Sequence, residues 1–406
     1  MCYFFSALLR AVTATLAPTF STELGLRAAD LGLLAGAYFF GFAALQLPLG
    51  AALDRRGPKR VLTWLLLMAV LGCAGFAMAD GLVGLILSRV LIGMGVAACL
   101  MAPLTCYRMR FSAAMQLRAN SWMLMTGSLG MLASTLPVQW LLPSWGWRGL
   151  FWAVAGLLLL SIAIVWWVVP RDEVPAADNI SGAKADANAG AAQPAAATGL
   201  RAYAPIVRHP IFVRSAPMGF FIYGGLIAVQ TLWAGPWLTR VAGWSTAQAA
   251  GGLFVINLSM LFAFLAWGAV MPRLTAKGVS VRALMLWGVP MSLLLIGWIV
   301  VSDEPAGAVT WALWCVSCTF VSLSQPVVAQ AFATHQVGRA LSAFNLVIFA
   351  GVFVLQWGIG LGIDAFIEAG LDEAMSFRVT LAIFGLCCGL SYLWYLRPPR
   401  RWRELG

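Results

Sequence analysis

Gly50-Ala51-Ala52-Leu53-Asp54-Arg55-Arg56-Gly57-Pro58-Lys59-Arg60 is the stretch whose reading decides how this chain folds. It joins two long apolar runs, so the chain leaves an apolar medium, turns within a few residues and re-enters it. A turn that short calls for the backbone freedom of Gly57 and the preset φ of Pro58. Arg55, Arg56, Lys59 and Arg60 set four cations beside the span ends. Positive charge there resists translocation, which puts the turn on the cytoplasmic side. Asp54, at the close of the first run, is placed to accept hydrogen bonds from a neighbouring helix N-terminus or an Arg.

Composition points the same way. Of 406 residues, 61% are hydrophobic and only 10% charged, with a mean hydropathy of +0.87. No water-soluble core could hide that much apolar surface, so the chain is expected to be all-α and to cross a membrane many times. The net charge of +11 would hint at nucleic acid in a soluble protein. Here the cations sit in short loops between spans, so topology explains them and no nucleic-acid partner is expected. The 19 Trp suit interfacial belts and cavity walls. The eight Cys lie mostly inside spans and read as small buried hydrophobes, Cys315 and Cys318 included. With two His, both in loops, no metal site is expected, and no cofactor. A cleaved signal peptide is not expected either, because no basic region leads the first apolar run and Arg10 interrupts it.

A bilayer span needs about 20 apolar residues. On that rule helices fall near 2–22, 29–53, 60–79, 82–106, 118–141 and 148–169. A second set falls near 214–239, 247–271, 282–301, 308–332, 341–363 and 377–396. With the 54–60 turn in the cytoplasm, 20 of the 26 Lys and Arg lie on that side, as do both termini. Only Arg27, Arg148, Arg240 and Arg378 lie opposite, while Arg10 and Arg89 fall inside spans. Pro170 to Thr198 is rich in Ala, Asp, Asn, Gly and Pro without apolar periodicity and reads as a flexible linker. The expected organisation is a six-helix bundle over 1–169, a cytoplasmic linker over 170–213, a second bundle over 214–396 and a cytoplasmic tail over 397–406. Within the linker, Arg201 to His209 reads as a short amphipathic surface segment.

The two sets look like diverged copies. Adding 218 carries Pro18, Gly25, Gly50 and Arg55 onto Pro236, Gly243, Gly268 and Arg273. Adding 221 carries Arg118-Ala119-Asn120-Ser121 and Gly130 onto Arg339-Ala340-Leu341-Ser342 and Gly351. Asp54 maps onto Pro272, so its carboxylate belongs to the first copy alone.

The spacing G-x-x-x-D-R-x-G-x-K-R in the opening stretch resembles the signature loop between the second and third helices of the major facilitator superfamily. The resemblance spans nearly the whole chain apart from the linker. It implies twelve transmembrane helices in two pseudo-symmetric six-helix bundles around a midplane cavity, worked by alternating access. It implies a monomer in a bacterial-type inner membrane, with the lipid bilayer and a small-molecule substrate as partners and protons as the candidate coupling ion. It also implies a short cytoplasmic tail before the first helix, of which this sequence has almost none. The cytoplasmic gate it implies is Asp54 with Arg55 and Arg118, hinged at Gly57 and closing against the second bundle. Arg89-x-x-x-Gly93-x-Gly95 resembles the family's second motif, whose Arg is associated with proton coupling in antiporters. Its glycines would let another helix pack closely. With no acid inside the membrane to pair with, Arg89 reads more readily as a structural or field-setting group. Gly127-x-x-Gly130 and Pro137 are similar to part of the antiporter signature but lack its Gly-Pro-x-x-x-Gly core.

No hydrolytic or redox constellation is present, so transport rather than enzymatic chemistry is expected. Arg10 is the sharpest candidate. It sits about midway along the first span, where an Arg costs about 2.5–3.5 kcal/mol on insertion scales. An anion held in a water-filled cavity would offset that cost, and pairing with helix carbonyls would be the alternative. Its counterpart in the second copy is Ala228. Other polar and aromatic residues inside spans are Tyr38, Gln46, Gln230, Trp233, Trp237, Asn257, Gln325, Gln330, Asn345 and Gln356. Buried amides need partners, so several of these are expected to face the cavity or another helix. Tyr38, Gln230, Trp233 and Asn345, nearest the span middles, are ranked with Arg10 as substrate contacts. Trp233-Ala234-Gly235-Pro236-Trp237 reads as a kink and an outer gate. The favoured reading is a secondary carrier of a small organic anion, taken up with protons or exchanged. A proton-driven efflux antiporter for drugs and a non-transporting membrane sensor are the alternatives.

Overall fold

The computed structural model describes residues 1–169 and 203–397, so most of the expected linker and tail lie outside the described residues. The chain runs through α1 (Cys2–Leu24), α2 (Ala28–Ala44), α3 (Gln46–Arg56), α4 (Pro58–Met78), α5 (Leu82–Val96), α6 (Ala98–Arg110), α7 (Ala113–Ala133) and α8 (Leu136–Val168). After residue 203 come α9 (Ala204–Val207), α10 (Pro210–Met218), α11 (Gly224–Ala228), α12 (Ala234–Pro236), α13 (Thr246–Ala276) and α14 (Val281–Val301). The last are α15 (Ala308–Cys318), α16 (Ser324–Gln330), α17 (Thr334–Glu368) and α18 (Glu373–Leu396). Among the described residues, nine helical runs are long and apolar enough to cross a membrane. The run through α1, the run α2–α3, and α7 continuing into residues 136–145 ahead of the Gly146 kink are further rods among the described residues, consistent with the expected twelve.

Local chemistry sets the breaks. Gly57 sits at φ 76, ψ 153, in the left-handed half of the map that disfavours a side chain, and Pro58 opens α4 at its first turn. Gly146 (φ 63, ψ 169) makes the turn inside α8. The seventh rod starts earlier than the expected residue 214. Pro210 opens it, and the His209 ring caps it by accepting from the Ile211 amide at 3.3 Å. That rod, Pro210–Val241, carries π turns at 219–223, 229–233 and 237–241.

The repeat is visible in the packing. A Cβ on Gly130 would collide with the Phe4 carbonyl, and a Cβ on Gly351 with the Phe220 carbonyl, so one crossing is built twice. Gly25 and Gly243 likewise end equivalent rods at φ 63 and φ 69. Between the halves, the closest seam is α2 against α17. Gly32, Gly36 and Gly360 bring the backbones together there, and Phe39 stacks on Phe349 at 6.2 Å. α1 packs on residues 229–236 beside it. The molecule thus has an end bearing the Gly57 turn and an opposite end bearing the Arg27 turn.

Candidate functional site

The cavity between the halves has a volume of about 390 Å³ and is walled by α1, α7, the 223–231 stretch and α13. Its residues run from Met131, Arg10, Gln230 and Asn257 at mid-depth to Leu124, Tyr3, Tyr223 and Phe264 nearer the Gly57 end. Gly127 makes room on α7 for the Tyr3 ring, which a Cβ would strike.

Arg10 lies on the wall of this cavity, half-buried, and its guanidinium makes no hydrogen bond or ion pair to any described residue. Its Nε is fully shielded from solvent and has no partner. A buried donor without an acceptor is costly, more so when charged. No Asp or Glu lines the cavity among the described residues, so nothing on its wall neutralises Arg10.

Arg89 is arranged in the opposite way. Its side chain is wholly buried behind α1, donating to the Leu9 carbonyl at 2.7 Å and to the Thr13 hydroxyl. Its guanidinium carbon lies 5.2 Å from the Phe76 ring centroid and 5.7 Å from that of Phe151. Gly93 and Gly95 of the same motif let α5 meet the Tyr38 carbonyl of α2 and the Ala69 backbone of α4. Arg89 therefore fastens α1 to its neighbours and stands away from the cavity.

The remaining ranked residues divide. Gln230 is on the cavity wall, its amide donating to Asn257 Oδ1 at 2.9 Å. Tyr38 is not on that wall. Its hydroxyl donates to the Ser6 carbonyl at 2.9 Å and its ring stacks on Phe42, tying α2 to α1. Trp233 is buried inside the second half, where it donates to the Gln356 carbonyl at 3.2 Å and lies edge-on to the Phe377 ring. Asn345 accepts from Gln325 at 3.1 Å, an α16–α17 bond apart from the cavity. Sequence ranking passed over Tyr3, Tyr223 and Thr231, and left Asn257 unranked. The residues 223, 226, 227, 230 and 231 do fall on one helical stripe, the one signal that could have found them.

A model of the Major Facilitator Superfamily matches residues 1–356 of this chain. The chain belongs to that superfamily. Among solved structures, this facilitator is similar to a bacterial homologue of the human lysosomal transporter Spinster, with a TM-score of 0.72 at 17% identity over 97% of this chain and 94% of the other. It is similar to the D-xylose–proton symporter, with a TM-score of 0.71 at 15% identity over 98% and 94% of the two chains. It is similar as well to the nucleoside transporter NupG, with a TM-score of 0.73 at 10% identity over 98% of each chain. A curated relative, the probable L-galactonate transporter of Escherichia coli K12, is 29% identical over 161 residues. That match covers 38% of this chain and 34% of the relative, about a third of its length. The protein is a multi-pass membrane transporter.

At the Gly57 end of the facilitator, Arg55 and Arg118 are exposed and reach no partner among the described residues. The Asp54 side chain lies outside the described ones, although the backbone of α3 there is helical. Lys59 turns inward and donates to the carbonyls of Trp166 at 2.9 Å and Val169 at 2.5 Å, closing the C-terminus of α8. The Arg27 end is tied shut by polar bonds between halves. Asp364 of α17 accepts from the amides of Ala28 at 3.2 Å and Ala29 at 2.8 Å, capping α2 from the other half. Arg27 bonds Glu368 at 2.5 Å, which with Asp364 raises its pKa above the ordinary arginine value. Arg240 crosses to Ser21 at 2.5 Å while pairing with Glu373 of its own half at 3.0 Å.

Proposed function

We propose that this facilitator moves a small organic anion across a bacterial inner membrane by alternating access, with the Gly57 turn and both termini in the cytoplasm. The observation that carries the reading is the Arg10 guanidinium, set on the wall of the cavity between the halves with no partner among the described residues. A cation kept that way is stabilised when a carboxylate arrives, through a charge-assisted and geometrically specific bond. Closure around the bound pair then encloses a neutral assembly instead of a bare charge. The relative described as a probable L-galactonate transporter supports a carboxylate as cargo. Entry is driven by protons or by exchange with a second anion, and the two are separated by imposing a pH gradient.

The experiment is uptake of L-galactonate and simpler carboxylates into proteoliposomes. The reading expects saturable uptake by the wild type and its loss in Arg10→Gln, with neutral sugars not competing. Equal uptake by the two proteins at sub-saturating substrate would refute it. The apolar side chains on the same wall, Leu226, Met260 and Phe264 among them, favour a second reading, efflux of hydrophobic drugs. A drug-susceptibility panel with and without the protein separates that reading from the first.

A further inference from the structure

Resting on the anion reading above, we infer that the Gln230–Asn257 amide pair reads hydroxyl groups on the substrate, so that the cavity selects polyhydroxylated carboxylates over plain ones. Gln230 stands in the 229–233 π turn and Asn257 on α13, both nearly buried and both on the cavity wall. They share one hydrogen bond, Gln230 Nε2 to Asn257 Oδ1 at 2.9 Å. That bond leaves the Gln230 carbonyl and the Asn257 amino group without partners among the described residues. Turning both amides over would leave the same inventory, one carbonyl and one NH₂. Side by side, an acceptor and a donor match hydroxyl groups, which both donate and accept. A carboxylate only accepts and cannot satisfy the carbonyl.

The neighbouring hydroxyl is not free for this task. Thr231 donates to the Ile227 carbonyl at 2.6 Å and accepts from Gln356 at 2.9 Å, so it braces the turn that presents Gln230. The division of labour follows. Arg10 on α1 takes the anionic end, and the amide pair across the cavity takes the hydroxylated carbons. Met260, Leu226 and Phe264 fill the rest of the wall and offer no polar discrimination.

The test compares six-carbon aldonates, D-gluconate and L-galactonate, with hexanoate, the same chain length without hydroxyls, as ligands for the full-length protein in nanodiscs. The wild type is expected to favour an aldonate by about tenfold or more, because an unmatched buried donor and acceptor penalise the deoxy ligand. Gln230→Met and Asn257→Leu keep the side-chain length or branching and remove the amides. In each, the preference is expected to fall to near unity, with hexanoate binding retained or strengthened as the unmatched amide is removed and aldonate binding no tighter than in wild type. The retained hexanoate binding reports a folded site. Arg10→Gln should weaken both ligands together. A wild type that binds hexanoate as tightly as every aldonate, or variants that keep the preference, would overturn the hydroxyl assignment and leave the anion reading standing. A wild type that binds no carboxylate would overturn both.

Discussion

Removing the Asp364 carboxylate should loosen the Arg27 end of the molecule. Asp364 caps two α2 amides from the opposite half, at 3.2 and 2.8 Å, and its side chain is partly buried. Loss of a capping side chain costs about 0.5–2 kcal/mol, and loss of a negative charge at a helix N-terminus adds about 0.3–1 kcal/mol. These overlap, so Asp364→Ala should shift the balance between closed and open Arg27 ends by about 1–2 kcal/mol, roughly 5- to 30-fold. Asp364→Asn keeps one acceptor and should fall between. Glu368→Gln should do little, because the pair it breaks is largely exposed. Pulsed spin-label distances between Ser144 and Glu304, exposed turn residues of the two halves at that end, read the populations directly. The labels need a chemistry other than thiol coupling, since the chain carries eight cysteines. An Asp364→Ala protein with the wild-type distance distribution, or one matched by Glu368→Gln, would refute the latch.

Other substitutions test the packing. Arg89→Ala should cost about 2–4 kcal/mol through lost packing on Phe76 and Phe151 and two orphaned acceptors on α1, read as reduced thermal stability in detergent. Arg89→Lys should restore little, since an ammonium does not reproduce the guanidinium fork. Gly93→Val should lower the yield of folded protein, because its side chain meets the Tyr38 backbone; overpacking of this kind costs about 1–3 kcal/mol. Tyr38→Phe should leave substrate affinity nearly unchanged while slightly destabilising α1 against α2, because its hydroxyl is spent on Ser6. Equal loss of affinity in Tyr38→Phe and Arg10→Gln would contradict that placement.

Much of the fold is legible in the sequence. The Gly57 turn, the apolar lengths and the paired glycines of the repeat are local signals that no tertiary context reverses, and Gly130 and Gly351 do meet equivalent carbonyls. Depth in the membrane is equally readable, which is how Arg10 stands out. Direction around a helix axis is not. A transmembrane helix is apolar on most of its circumference, so a mid-span Tyr38 or Trp233 carries no mark of which neighbour it faces. Tyr38 faces Ser6, and Trp233 faces the α17 backbone. Asp364 escapes a sequence reading for a related reason. A carboxylate near a helix end resembles any loop acid until the start of another helix, more than 300 residues away, is set against it.

The account stands on Arg10 as the anion-binding cation, and ligand-induced stabilisation tests it most directly. A panel of organic acids, neutral sugars, amino acids and cationic drugs is applied to wild type and Arg10→Gln, since a ligand of the folded state stabilises it by mass action. Stabilisation should come from carboxylates and vanish with the guanidinium, a loss of about 2–4 kcal/mol or roughly 30- to 1000-fold in Kd. Undiminished carboxylate stabilisation of Arg10→Gln, or a wild type stabilised by cations and not by anions, would contradict it.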